Sequence, residues 1–257
     1  MINDQLNSKL KSQDSKLFGL IGYPLAHSFS KKYFTEKFKK EKISDCLYEN
    51  FPLHSIEEFP SLIESHPDLL GLNVTIPYKE QVISFLDELD ETSGKIGAVN
   101  TIKISQGKLT GHNTDVYGFM NSIKDLLQPF HSSALILGTG GGAKAVAFGL
   151  MKMGIEFDFV SRNPDEKELR YEDLDEAVIH QYKIIINTTP VGMFPDIDSC
   201  PPIPYELLTS SHLLFDLIYN PDETLFLMKG KQQGATVKNG LEMLQLQAER
   251  SWEIWNS

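Results

Sequence analysis

The sequence runs to 257 residues, enough for two modest domains or one large one. Hydrophobic residues make up 41 % and charged residues 23 %, a balance that can build sizeable cores. With 24 Lys+Arg against 35 Asp+Glu the formal net charge is −11, an average field that repels nucleic acid and anionic membranes. Any anionic ligand must therefore be held by local donors. Cys46 and Cys200 lie far apart and outside a C-x-x-C pair, so there is no disulfide framework and no metal pattern, and a reducing cytoplasm is the expected home. Residues 1–15 are polar, lack the apolar stretch of a signal peptide and read as a flexible tail. No apolar run reaches the roughly 20 residues a membrane span needs.

From Lys16 onward short apolar runs alternate with amphipathic stretches, the rhythm of an α/β protein. The first strand is expected over Leu17–Gly22, then a helix over Ser30–Glu41 with Tyr33, Phe34 and Phe38 as its apolar stripe. Strands follow at Leu47–Phe51 and Leu70–Thr75, then a hairpin of 98–104 and 108–111 around Ser105-Gln106-Gly107. A helical segment over 116–127 stops at Pro129. A second rhythm begins with strand 134–137, a glycine turn, a helix to Met153 and strand 155–160. Later strands are expected at 183–187 and 213–217, and a closing helix over 241–255. The boundary falls near Asp115, with the last helix returning to the first domain.

The run Leu137-Gly138-Thr139-Gly140-Gly141-Gly142-Ala143 places G-x-G-x-x-A directly after a strand and at the start of a helix. Gly138 suits the tight turn, Gly140 admits a pyrophosphate close to the backbone, and Ala143 lets the helix pack near the strand. The next strand ends in Ser161-Arg162-Asn163. An acidic residue there would bind a ribose 2′-hydroxyl, whereas Arg162 suits a 2′-phosphate, which favours NADP over NAD. The turn Asn187-Thr188-Thr189-Pro190-Val191-Gly192-Met193 follows another strand end and is expected to face the nicotinamide side.

Three polar clusters mark strand ends in the first domain. They are His27-Ser28-Phe29-Ser30, Asn73-Val74-Thr75-Ile76-Pro77-Tyr78-Lys79, and Gly97-Ala98-Val99-Asn100-Thr101 with Gly111-His112-Asn113-Thr114-Asp115. Their hydroxyls, amides, ammonium and carboxylate suit a small polyhydroxylated acid. Taken singly, Ser28 and Ser30 could cap a helix, Lys79 could sit solvated early in a helix, and Asp115 could be an N-cap.

Taken together, these stretches resemble shikimate dehydrogenases. Asp216-Leu217-Ile218-Tyr219-Asn220-Pro221 and Asn239-Gly240-Leu241-Glu242-Met243-Leu244, with Gln247 beyond, continue the likeness, which covers nearly everything after Lys16. The resemblance implies a cytoplasmic enzyme of aromatic amino acid and chorismate biosynthesis, reducing 3-dehydroshikimate to shikimate with NADPH. It implies a substrate domain of residues 16–115 completed by 239–257, a Rossmann-type doubly wound NADP domain of 116–238, and a monomer or homodimer. By the same likeness Ser28 and Ser30 hold the substrate carboxylate. Thr75, Asn100, Asp115 and Gln247 hold ring hydroxyls, Tyr219 lies near the substrate, and Lys79 and Asp115 flank the reacting carbon. Gly138 to Ala143, Arg162, Thr188 and Met193 serve the nucleotide, and no metal is implied.

The chain departs from the family pattern at Lys31, Phe34 and Thr35, where a proline and a His-Asn pair are usual. It departs again after Arg162, where Glu166 stands at the offset of a second basic residue and Lys167 follows it, implying looser selectivity for NADP. A quinate/shikimate dehydrogenase preferring NAD fits the same residues, with Arg162 against its cofactor half. A silent nucleotide-binding module would have lost the lysine–aspartate pair, and both residues are present.

Overall fold

The computed structural model describes residues 15–25 and 28–257, so the tail expected over 1–15 falls, Ser15 apart, outside the described residues, as does His27. Within those residues one unit runs up to Asn113 and takes in Ser251–Ser257, while the other spans Thr114–Arg250. The cut lies just before Asp115, which therefore heads the second unit's first helix. The return to the first unit begins at Ser251, later than the expected 239.

The first unit is built on β1 (Lys16–Gly22), flanked in parallel by β2 (Cys46–Pro52) and β3 (Leu69–Val74). Helix α1 (Phe29–Glu41) links β1 to β2 and buries Phe34 and Phe38, ending where Lys42 turns left-handed with φ 58°. A shorter α2 (Phe59–Ser65) leads to β3. Beyond it lie β4 (Glu88–Leu89), α3 (Glu91–Ile96), β5 (Thr101–Ser105) and β6 (Lys108–His112). The sheet order is β2-β1-β3-β5-β6-β4, with β5 antiparallel to both β3 and β6. The hairpin loop is tighter than the expected Ser105-Gln106-Gly107. Ser105 pairs with Lys108, and the two turn residues both take positive φ, 53° and 77°, which matches the twist of the flanking strands.

The closing turn of the last helix completes this unit's core. Trp255 stacks on Phe18 with ring centroids 5.0 Å apart and donates its indole N–H to the Ile102 carbonyl at 3.0 Å. Gly71 faces that indole, and a Cβ there would lie 2.3 Å from its nitrogen, so only glycine admits the ring. Phe34, one of the departures from the family pattern, is core material: it is fully buried and stacks on Tyr48 at 4.6 Å.

The second unit begins with α4 (Asp115–Ile123) and carries five parallel strands: β7 (Ser133–Leu137), β8 (Glu156–Val160), β9 (Ile184–Asn187), β10 (Leu213–Asp216) and β11 (Thr236–Lys238). Helices α5 (Gly141–Lys152), α6 (Glu176–Gln181), α7 (Leu225–Gln232) and α8 (Leu241–Trp255) follow β7, β8, β10 and β11. The central strands β7, β9 and β10 read as nearly continuous apolar runs because both faces are covered. Ala134, Ile136, Ile184 and Ile186 enter one core with Phe119, Val146 and Met243, while Leu135, Leu137, Ile185 and Leu214 enter the other with Phe226. The order β11-β10-β9-β7-β8 reverses direction between β7 and β9, which is where ligands settle in such sheets. Among the described residues no helix is long and apolar enough to cross a membrane.

Candidate active site

At that reversal, β7 runs into the glycine turn. Gly138 takes φ +102°, a conformation that strains any side chain, and a Cβ there would also meet Thr189 and Thr188 at 2.9 and 3.0 Å. Gly140 is the N-cap of α5, and among the described residues no side chain caps the N–H groups of that first turn. A Cβ built on Gly140 meets no atom within 4 Å, so its face is open, while Ala143 behind it is fully buried. Thr139 and Gly140 are exposed. Open donors, a bare backbone and positive dipole are what a pyrophosphate requires, so these residues fit a dinucleotide.

Beside the turn, Thr188 commits its hydroxyl to the Leu137 carbonyl at 2.6 Å. Met193 lies in the loop after β9 and is 45 % exposed. Arg162 is exposed at the end of β8.

Below these groups, the ends of β9 and β10 are tied by a network that sequence reading did not single out. Asp216, wholly buried, accepts from Asn187 Nδ2 at 3.0 Å, Ile218 N at 3.0 Å and Thr224 Oγ1 at 2.6 Å. Asn187 Oδ1 in turn receives the Thr189 N–H and hydroxyl. Burial pushes the Asp216 carboxyl up to about 6, against the pull of its three donors. The signal was available in the polar residue closing each apolar strand. Tyr219 lies three residues after the strand, half-buried, with its phenol raised by burial. Asp115 is buried in the first turn of α4, behind Thr114 as N-cap, and Thr114 Oγ1 reaches Gln247 Oε1 of α8 at 3.4 Å.

In the first unit, Ser28 is the N-cap of α1, yet its side chain makes no capping bond, and Oγ is buried without a partner among the described residues. Asn50 Oδ1 shares that state, and both residues send an N–H to the Leu25 carbonyl, at 3.2 and 3.4 Å. Ser30, buried, hydrogen-bonds the Tyr48 phenol, which donates to Asn73 Oδ1 at 2.8 Å. Asn73 Nδ2 then donates to Ser251 Oγ at 2.9 Å and to Thr101 Oγ1 at 3.2 Å.

Thr75, Lys79 and Asn100 converge at the end of β3. Val74 N donates to the Asn100 carbonyl at 2.8 Å, Val99 N to the Lys79 carbonyl at 2.7 Å, and Tyr78 N to the Thr75 carbonyl at 3.0 Å. Lys79 is half-buried in a turn, not in a helix. Lys31 forms an ion pair with Glu49. Among the described residues no group of three His, Cys, Asp or Glu is placed to hold a metal.

A doubly wound parallel sheet with an open glycine turn, and a second α/β unit lined with hydroxyls and amides, define a nicotinamide-nucleotide oxidoreductase. The model of the shikimate dehydrogenase substrate-binding domain matches residues 20–102. A shikimate dehydrogenase (NADP(+)) of Methanococcus vannielii is 39 % identical over 266 residues, spanning 94 % of this chain and 92 % of that protein. The solved shikimate dehydrogenase of Aquifex aeolicus superposes with TM-score 0.85 at 34 % identity, covering 95 % of this chain and 94 % of that one. That of Thermus thermophilus, in complex with NADP(H) and shikimate, gives 0.83 at 30 %, covering 93 % of each. The chain belongs to the shikimate dehydrogenase family.

Proposed function

We propose that this chain is an NADP-dependent shikimate dehydrogenase, interconverting 3-dehydroshikimate and shikimate on the route to aromatic amino acids. The observation that carries the reading is the β7–α5 turn, with its uncapped donors, open Gly140 face and a guanidinium at the end of the neighbouring strand. The names of the relatives support it, over 94 % and 93 % of the chain. We place the enzyme in the cytoplasm, as a monomer or homodimer.

NADPH, when bound, supplies the hydride. The pyrophosphate would be held by the backbone from Gly138 to Ala143 and the 2′-phosphate by Arg162, with Thr188 and Met193 serving the nicotinamide side. Ser28 and Ser30 donate to the substrate carboxylate, and the lack of a partner for Ser28 Oγ among the described residues supports this role. Thr75, Asn100, Asp115 and Gln247 hold ring hydroxyls, and Tyr219 lies near them. Lys79 directs its ammonium at the ketone oxygen, stabilises the charge that develops there and gives up a proton from Nζ. In the reverse direction the neutral amine takes that proton back. Asp115 accepts from a neighbouring substrate hydroxyl.

The test is initial-rate absorbance at the reduced-nicotinamide band, with shikimate or quinate crossed against NADP or NAD. Preference for shikimate with NADP is expected. Clear turnover of quinate with NAD overturns the assignment. Nucleotide binding with no turnover of any pair makes the chain a binding module instead.

A further inference from the structure

The loop after β8 leaves the sheet and comes back. Leu169 pairs in parallel with Val160 as a one-residue bridge, fixed by Leu169 N to the Phe159 carbonyl at 2.8 Å and by Ser161 N to the Leu169 carbonyl at 2.9 Å. That return sets Arg170 beside the Ser161-Arg162 strand end, although seven residues of sequence separate the two arginines. Both side chains line one open depression of about 590 Å³, shared with Asn163, Pro164, Glu172 and Asp173. Neither guanidinium has an ion-pair partner among the described residues. The backbone at Arg170 is fixed locally, because its N–H donates to Asp173 Oδ2 at 2.8 Å at the head of the turn Tyr171–Asp173. The charge of Arg162 also reaches the Tyr171 phenol, pulling down a group that burial pushes up.

Resting on the NADP reading above, we propose that Arg170 is the second cation of the 2′-phosphate site and, with Arg162, sets the preference for NADP over NAD. The position expected from sequence spacing is occupied by Glu166, and its neighbour Lys167 is not among the residues lining the depression. A dianionic phosphate offers three oxygens, and two guanidinia can each take it through paired N–H groups. Glu172 and Asp173 bear on the same space. They are the groups that would accept a free 2′-hydroxyl, so the two arginines decide which nucleotide wins.

The experiment measures equilibrium binding of 2′,5′-ADP and of 5′-ADP to the full-length protein by calorimetry, beside the KM values for NADP and NAD. In Arg170→Gln, 2′,5′-ADP is expected to bind about tenfold more weakly while 5′-ADP binding holds, KM for NADP rising in step. Arg170→Lys, which keeps the charge but not the paired N–H groups, should recover only part of the loss, and Lys167→Gln should change neither probe. Should Arg162→Gln weaken 2′,5′-ADP while Arg170→Gln does not, this inference falls and the NADP reading stands. Equal binding of the two probes by the parent protein overturns both. Equal weakening of both probes in Arg170→Gln would show that the residue supports the loop and not the phosphate.

Discussion

At the end of β10 the Asp216 carboxylate, sealed from solvent, collects an amide, a backbone N–H and a hydroxyl. At the head of α1, Ser28 Oγ is buried with no partner among the described residues, and Asn50 Oδ1 in β2 is in the same condition. A buried polar atom left unmet costs about 1–3 kcal/mol, so a chain that satisfies one cluster and neglects another has used them differently. Saturation belongs to scaffold: the Asp216 network ties the ends of β9 and β10. A deficit belongs to a place completed by something outside the chain.

The largest effect is expected on the open side. Lys79→Ala should lower turnover by at least about 10²-fold in initial-rate assays, the low end for losing a group that works on the proton. Near-normal turnover in the purified variant would remove Lys79 from the chemistry.

The closed side is probed through pH. The folded Asp216 carboxyl is raised from 3.8 to about 6, so the native state holds that proton more tightly than the unfolded chain. The stability it lends is whole below about pH 4 and is lost as pH rises through about 6, a change of roughly 3 kcal/mol. Asp216→Asn has no such proton to lose. The stability of the parent minus that of the variant, from urea unfolding at about pH 4 and about pH 7, should fall by this amount. A difference that stays flat would show that the buried group keeps an ordinary carboxyl affinity.

The smallest pair sharpens the contrast directly. Thr224→Val strips one donor from a saturated carboxylate and should cost about 1–2 kcal/mol of stability with KM for shikimate unchanged. Ser28→Ala should do the reverse, raising that KM about tenfold while the urea midpoint holds or rises. Exchange of these two outcomes would dissolve the distinction between scaffold and site.

The sheet of the second unit was legible because strands buried on both faces leave runs such as Ile184-Ile185-Ile186. The closing helix was read at its observed limits, Leu241–Trp255, from its apolar period. Short elements escaped. α2, α3 and α6 are too brief to show a period, and β4 and β11 are two- and three-residue edges with one core-facing apolar residue each, Leu89 and Val237. The polar motifs pointed to strand ends because their spacing is local. What joins them is not local: the chain from Tyr48 through Asn73 to Ser251 draws on three distant segments. Arg170 was overlooked for the same reason, since an offset counted along the sequence cannot register a loop that doubles back.

The division of α8 has a consequence for synthesis. The ribosome delivers the strands of the first unit early, but Ser251 and Trp255, which fill its core, are made only after the entire second unit. Until then Phe18 lacks its stacking partner and Gly71 faces an empty slot. The nascent first unit therefore waits, incompletely packed, for its last seven residues, while the second unit can close on itself first.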